Sequence, residues 1–182
     1  MTGKRLALYT FGIFRGSADD DANRGFHDRN DAAFAAAEAA EGFIARSGYE
    51  DEPGPASWGP QIYPRFYVER GDGWSPSTIS LWTDLESAMA FSYSGLHAES
   101  LKHGRQWMVK PEWPPYALWW VDASHVPDWV EAVARHEHLA DHRPSPYAFD
   151  FRTPFGDDGR SATIDRVHVK RLAARNAARL PG

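Results

Sequence analysis

Apolar and polar positions along the chain divide it into segments with different periods. Residues 6–14 are apolar on both sides of a two-residue repeat, as in a central strand covered from two faces. Alanine-rich residues 31–46 carry Phe34, Ala37, Glu41 and Ile44 on one side, and Asn30 precedes them as a credible N-cap, so a helix is predicted there. Residues 62–69 form the next strand candidate, with Pro64 demoting its start to an edge or bulge. Ile79 and Leu81 alternate with Thr78, Ser80 and Trp82 in a half-buried strand. Thr83-Asp84-Leu85-Glu86 then reads as a capping box opening one long helix, with Gly104 placed to stop it. Residues 116–121 suit a buried strand, 126–142 a helix with proline in its first turn, 147–151 a short strand, and 165 onward a basic helix.

The predicted order is strand, helix, strand, strand, helix, strand, then a helix, a strand and a helix. The first six elements follow the ferredoxin-like order, an α+β fold with helices packed on one face of an antiparallel sheet. The expected division is a domain over 1–155 and a polar linker with a basic helix over 156–182. One sheet face would then stand uncovered, and pairing with a second copy is the simplest way to bury it.

Composition narrows the function classes. With 42% hydrophobic and 14% aromatic residues among 182, the chain can bury a substantial core. Seven of the eight tryptophans fall between Trp74 and Trp129, which concentrates attention on that half. A net charge of −5 argues against nucleic acid as the main partner, since phosphate binding needs a positive field. The basic tail side chains, Arg166 to Arg179, are spread around their helix rather than ranked on one side. That tail also puts Val169, Leu172, Asn176 and Leu180 on one stripe. No apolar run reaches the length of a membrane span. With no cysteine, thiolate catalysis and cysteine-ligated metals are excluded, and a reducing cytoplasm is the expected setting.

Candidate chemistry centres on the long predicted helix. At 100° per residue, Leu85, Met89, Ser92, Leu96 and His103 share a stripe, with Tyr93 and His97 four apart on its flank and Ser100 between. His97 and His103 can titrate near neutrality, and the Tyr93 hydroxyl can fix a substrate or a ring tautomer, so these three are the candidate catalytic residues. Tyr9, Trp82, Trp107, Trp119 and Trp120 are the candidate substrate-binding residues, since aromatic rings stack flat molecules and indole or phenol groups donate hydrogen bonds. The expected site is an apolar pocket between the sheet and the long helix, lined by Tyr9, Trp82, Tyr93, His97 and one of the adjacent tryptophans. Only one of the adjacent Trp119 and Trp120 can face a given cavity. His136, His138 and His142 lack the spacing of a complete metal site, and a solvated helix face is the expected reading, with no metal. Gly71-x-Gly73 lacks the third glycine and the helix of a phosphate loop.

Leu6-Ala7-Leu8-Tyr9-Thr10-Phe11-Gly12, Ser80-Leu81-Trp82 and Phe91-Ser92-Tyr93-Ser94-Gly95-Leu96-His97 together resemble a widespread bacterial family of unknown function. Leu118-Trp119-Trp120-Val121, His125-Val126-Pro127, Glu137-His138-Leu139 and Pro144-Ser145-Pro146-Tyr147-Ala148-Phe149 belong to the same pattern. That family is grouped with the dimeric α/β-barrel superfamily, which includes antibiotic-biosynthesis and haem-degrading monooxygenases. The resemblance implies a ferredoxin-like protomer, a sheet-to-sheet homodimer and, by analogy, monooxygenase-like chemistry on a small hydrophobic or aromatic molecule. It leaves a cofactor-free route, with a histidine as base, beside a haem route with an axial histidine. The alternative is a non-catalytic module that uses the same aromatic cavity to bind a hydrophobic ligand, haem included, or a protein.

Overall fold

The computed structural model describes residues 3–179, the side chains of residues 100 and 101 excepted. Leu180 of the expected tail stripe lies outside the described residues, and so does the Ser100 side chain. Four strands, β1 (Lys4–Phe11), β2 (Phe43–Arg46), β3 (Ser77–Trp82) and β4 (Tyr116–Asp122), form one sheet in the order β2-β3-β1-β4. Every neighbouring pair is antiparallel, with Leu6 opposite Trp82 on one side and Trp120 on the other. Five α-helices accompany the sheet among the described residues: α1 (Arg24–Ala39), α2 (Leu85–Ser92), α3 (Gly95–Trp107), α4 (Trp129–Asp141) and α5 (Arg166–Arg179). Order and pairing are consistent with the ferredoxin-like arrangement. No helix among the described residues is long and apolar enough to cross a membrane.

Both faces of the sheet are covered within the chain. Leu6, Leu8, Trp82 and Leu118 pack with Leu85 and Met89 of α2, and with Phe149, Phe151 and Ile164 from the C-terminal segment. Ala7, Tyr9, Ile79, Leu81, Trp119 and Val121 pack on the opposite side with Trp129, Ala132 and Val133 of α4. Tyr49, Trp58, Tyr63, Phe66, Tyr67 and Trp113 close that second side as an irregular aromatic cover. The expectation of helices on one face only is therefore corrected. The sheet face expected to await a second copy is already buried, because α4 and the segment between β2 and β3 lie on it.

Several local expectations are corrected by the backbone. The first helix starts earlier, after Asn23, and stops at Ala39; Gly42 at φ +84° turns the chain, and 43–46 becomes strand β2 rather than the helix end. Residues 62–69 join the aromatic cover instead of pairing as a strand. The long helix is two: Ser92 and Ser94 hydroxyls donate to the carbonyls of Ala88 (2.8 Å) and Ala90 (2.5 Å), and Gly95 at φ +57° breaks the turn. Its cap is Asp84, whose carboxylate accepts from Ser87 N at 2.7 Å, while Glu86 accepts from Asp165 N at 2.9 Å and so anchors the approach to α5. The expected strand at 147–151 is reduced to isolated bridges, and its one bridge to the sheet is at Phe149, which exchanges backbone bonds of 2.8 and 2.9 Å with Leu118.

Helix α5 is part of the same core. Leu172 is buried, Asn176 Oδ1 accepts from Glu41 N at 2.9 Å, and Arg175 and Arg179 reach the Glu41 carboxylate at 2.9 and 3.3 Å. The discordant glutamate of the first helical pattern thus clamps the tail.

Two stability measurements test this packing. A Cβ at Gly42 would lie 2.2 Å from Ser87 Oγ at a positive φ, so Gly42→Ala should cost about 2–4 kcal/mol in urea unfolding. Gly104, expected to stop the helix, instead lies in the last turn of α3, which runs on to Trp107; with open space around it, Gly104→Ala should gain about 0.5–1 kcal/mol. Leu172→Ala should cost about 2–5 kcal/mol if α5 belongs to the cooperative core; an unchanged midpoint would mean that α5 folds apart from it.

Candidate functional site

An open cleft of about 500 Å³ lies at the start of β3, between α1 and the segments 16–20 and 49–52. Its residues are brought together by polar bonds, some local and some between segments more than 50 residues apart. Asp20 caps the 3-10 turn Asp21–Asn23 by accepting from Ala22 N at 2.8 Å, and the buried Asn23 amide donates to Ser17 O at 2.8 Å. Ala18 N donates to Asp72 Oδ2 at 2.8 Å, and the Arg70 guanidinium donates to the carbonyls of Phe14 and Gly16. These bonds pin the 16–20 turn against the turn at Gly71–Gly73, where Glu69 accepts from both glycine amides. The Tyr67 hydroxyl and those amides hold the Glu69 carboxyl below the usual carboxylate range.

Aromatic side chains make the walls. Trp74 lies 5.7 Å from Phe14 and 6.0 Å from His27, both at shallow ring angles, and Phe26 stands edge-on to His27 at 5.5 Å. Opposite them, Phe34 is 6.4 Å from Tyr49, whose hydroxyl donates to Ser77 O at 2.7 Å. Burial pushes the Tyr49 phenol well above its ordinary pKa, so it stays a neutral donor. Ser77 and Thr78 form the floor, with Thr78 Oγ1 2.7 Å from Thr10 Oγ1. Asp19, Asn30 and Glu52 supply the polar part of the lining.

His27 is the histidine of this cleft. Its Nε2 lies 2.8 Å from Ala18 O; since a carbonyl only accepts, Nε2 carries the proton and the neutral ring keeps its lone pair on Nδ1.

None of the eight residues selected from sequence lines this cleft. The sheet separates several of them: Trp82 and Trp120 belong to one face, Tyr9 and Trp119 to the other. Trp82 Nε1 donates to Ser80 Oγ (2.9 Å), Trp119 Nε1 to Glu131 Oε1 (2.9 Å) and Trp120 Nε1 to Phe155 O (2.8 Å), so each indole is committed within the fold. The pocket expected from Tyr9, Trp82, Tyr93, His97 and one of the paired tryptophans is not formed as one cavity. Tyr93 is exposed, 3.4 Å from the Tyr116 hydroxyl, and His97 donates from Nδ1 to Ser92 O at 2.8 Å with its ring 5.0 Å from Phe91. His103 is exposed beside Trp107, not buried with Leu85, because the break at Gly95 resets the helical stripe. Trp107 is buried against Phe26 and so supports the cleft from behind. A haem needs an axial imidazole facing its cavity; neither histidine expected on the long helix, His97 or His103, lines the cleft.

The histidines of α4 also separate. His138 and His142 rings lie 4.4 Å apart, beside Tyr147. His136, expected on a solvated face, is fully buried, with Nε2 donating to Pro114 O at 2.6 Å and Tyr9, Phe11 and Phe66 rings around it. The Tyr9 hydroxyl and His136 Nδ1 have no hydrogen-bond partner among the described residues, and burial drives the Tyr9 phenol far above its ordinary pKa.

Sequence reasoning missed Phe26, His27, Phe34, Tyr49 and Trp74 as a group. A usable signal was present: Phe26, His27, Asn30 and Phe34 fall on one helical stripe once the helix is started at residue 24.

The chain belongs to the family described as "Domain of unknown function (DUF3291)", whose model matches residues 5–165. The match runs from within β1 to the residue before α5, in agreement with the resemblance to a family of unknown function. No curated protein and no solved structure matches the chain.

Burial lowers the pKa of both His97 and His136 below the ordinary 6.5 by penalising the imidazolium. Between the folded and unfolded values the unfolded chain binds more protons, so their contribution is complete above pH 6.5 and is lost on acidification. Urea midpoints should therefore fall from pH 7.5 to pH 5.5, and His97→Asn should flatten part of that slope. A midpoint constant across this range would contradict the assignment.

Proposed function

We propose that the protein binds a small, flat, largely apolar molecule in the cleft between α1 and the start of β3. One observation carries the reading: Phe26, His27, Phe34, Tyr49 and Trp74 converge on a single open volume of about 500 Å³. Sites for small organic ligands have this form, apolar and aromatic walls with a few placed polar groups. The cleft's edges are pinned by buried and backbone-directed hydrogen bonds, so little ordering is needed on binding. The reading matches the binding alternative drawn from sequence, moved from the α2–sheet region to the α1–β3 region.

His27 supports a second, catalytic reading. With Nε2–H held by Ala18 O, its Nδ1 lone pair is oriented as a base in the neutral ring, the group that a cofactor-free, monooxygenase-like step needs to deprotonate an electron-rich substrate before O₂ reacts. In that scheme the Tyr49 hydroxyl stays engaged with Ser77 O, and the remaining polar side chains of the lining are Asp19, Asn30, Glu52, Ser77 and Thr78.

Calorimetric titration with indole, 2-naphthol and quinoline tests the binding reading. At least one should bind with micromolar to low millimolar affinity, Trp74→Ala should weaken it tenfold or more, and His97→Ala should leave it unchanged. Failure of all three fragments at saturating concentration, or loss of binding in His97→Ala with Trp74→Ala unaffected, would overturn it. Oxygen uptake with a bound fragment, abolished in His27→Asn at unchanged affinity, would establish the catalytic reading.

A further inference from the structure

We infer that the cleft selects an organic cation, a ligand whose apolar body carries a fixed or protonated positive charge. The inference rests on the binding reading above and adds the sign of the ligand's charge. Two carboxylates, Asp19 and Glu52, line the same volume as the aromatic walls, and no lysine or arginine lines it. Among the described residues neither carboxylate takes part in an ion pair. Asp19 accepts one hydrogen bond, from Ser17 Oγ at 2.5 Å, which leaves lone pairs and its whole charge without a basic partner.

The walls add to that field. A ring presents a negative face, and rings grouped around carboxylates are the arrangement that holds methylated ammonium groups. One wall already carries a cation: the Arg46 guanidinium sits 4.0 Å from the centre of the Phe34 ring, with its charge taken up by Glu38 at 2.8 Å. Arg46 and Glu38 cancel one another, so the charge left at the cleft is that of Asp19 and Glu52.

Ligand charge then decides the sign of the polar contribution. A neutral flat ligand would gain nothing from the charge of the two carboxylates. An anion would meet two like charges at close range. A cation keeps the carboxylates compensated while its apolar part displaces water from the rings. The overall charge of −5 favours approach of the same class of ligand.

Choline and 3,3-dimethylbutan-1-ol have the same shape and differ in charge, so titrating the full chain with each isolates the inference. Choline should bind at least tenfold more tightly at low salt. The Asp19→Asn/Glu52→Gln double variant should bring the two within about twofold by weakening choline alone, as expected when exposed carboxylates supply the preference. Glu52→Gln alone, an exposed position, should lower the preference part-way and guards against a double variant that fails to fold. Trp74→Ala should weaken both ligands. Equal affinities in the unmodified protein, both sensitive to Trp74→Ala, would overturn the charge inference and leave the binding reading standing. A choline preference that survives the double variant would also overturn it. Binding of neither ligand, together with failure of the aromatic fragments, would overturn both.

Discussion

The burial of β1 on both faces constrains everything else in this protein. Leu6, Ala7, Leu8 and Tyr9 are consecutive and all buried, and each is flanked by paired strands on both sides. A strand in that position obliges the chain to cover two sheet faces. Helices α2 and α5 serve one, and α4 serves part of the other. The remaining area is covered by the irregular segment between β2 and β3, whose rings stack on the strand residues and on each other. Irregular backbone can do this because its polar groups find local partners, such as Glu69 for two glycine amides and Ser47 Oγ for Trp58 N.

The same division of labour creates the cleft. The aromatic cover ends where β3 begins, and α1 departs from the sheet after its own packing on α3 and β2. Between these limits the β3 start is reached by rings from three directions without being sealed. The tight anchors around it, Arg70 on two carbonyls and Asp72 on Ala18 N, keep the walls apart at fixed spacing. Function is thus expected at the boundary between regular and irregular cover, not inside either core cluster.

Strand identity was legible from three different signals: alternation marked β3, apolar character on both faces marked β1, though it ends at Phe11 and not at Phe14, and aromatic and β-branched content marked β4. Helix α4 stands within the expected 126–142 but starts at Trp129, with Pro127 ahead of its Asp128 cap. The four-residue β2 was not, because alanines on both sides of Gly42 extend a helical composition through a turn that only the left-handed glycine reveals. The helix break at Gly95 was hidden for a related reason, since serine back-bonding leaves no mark in hydrophobic periodicity. That break moved His103 to the surface and separated Tyr93 from His97. The candidate site failed on a further ground. Tryptophan density points to where large rings are needed to fill the two cores, whereas the cleft draws on Phe26, His27 and Phe34 of a helix whose start was placed seven residues late. Long-range pairs such as Asp72 with Ala18, 54 residues apart, carry no local signature at all.

The indole N–H resonances of the eight tryptophans give the most direct test of where ligands bind. On titration with phenyltrimethylammonium, the Trp74 signal should shift in a saturable way. Trp82, Trp119 and Trp120, whose N–H groups are bound to Ser80, Glu131 and Phe155, should stay in place. Saturable shifts at Trp82 or Trp120 with Trp74 unmoved would contradict the account and return the site to the region between α2 and the sheet.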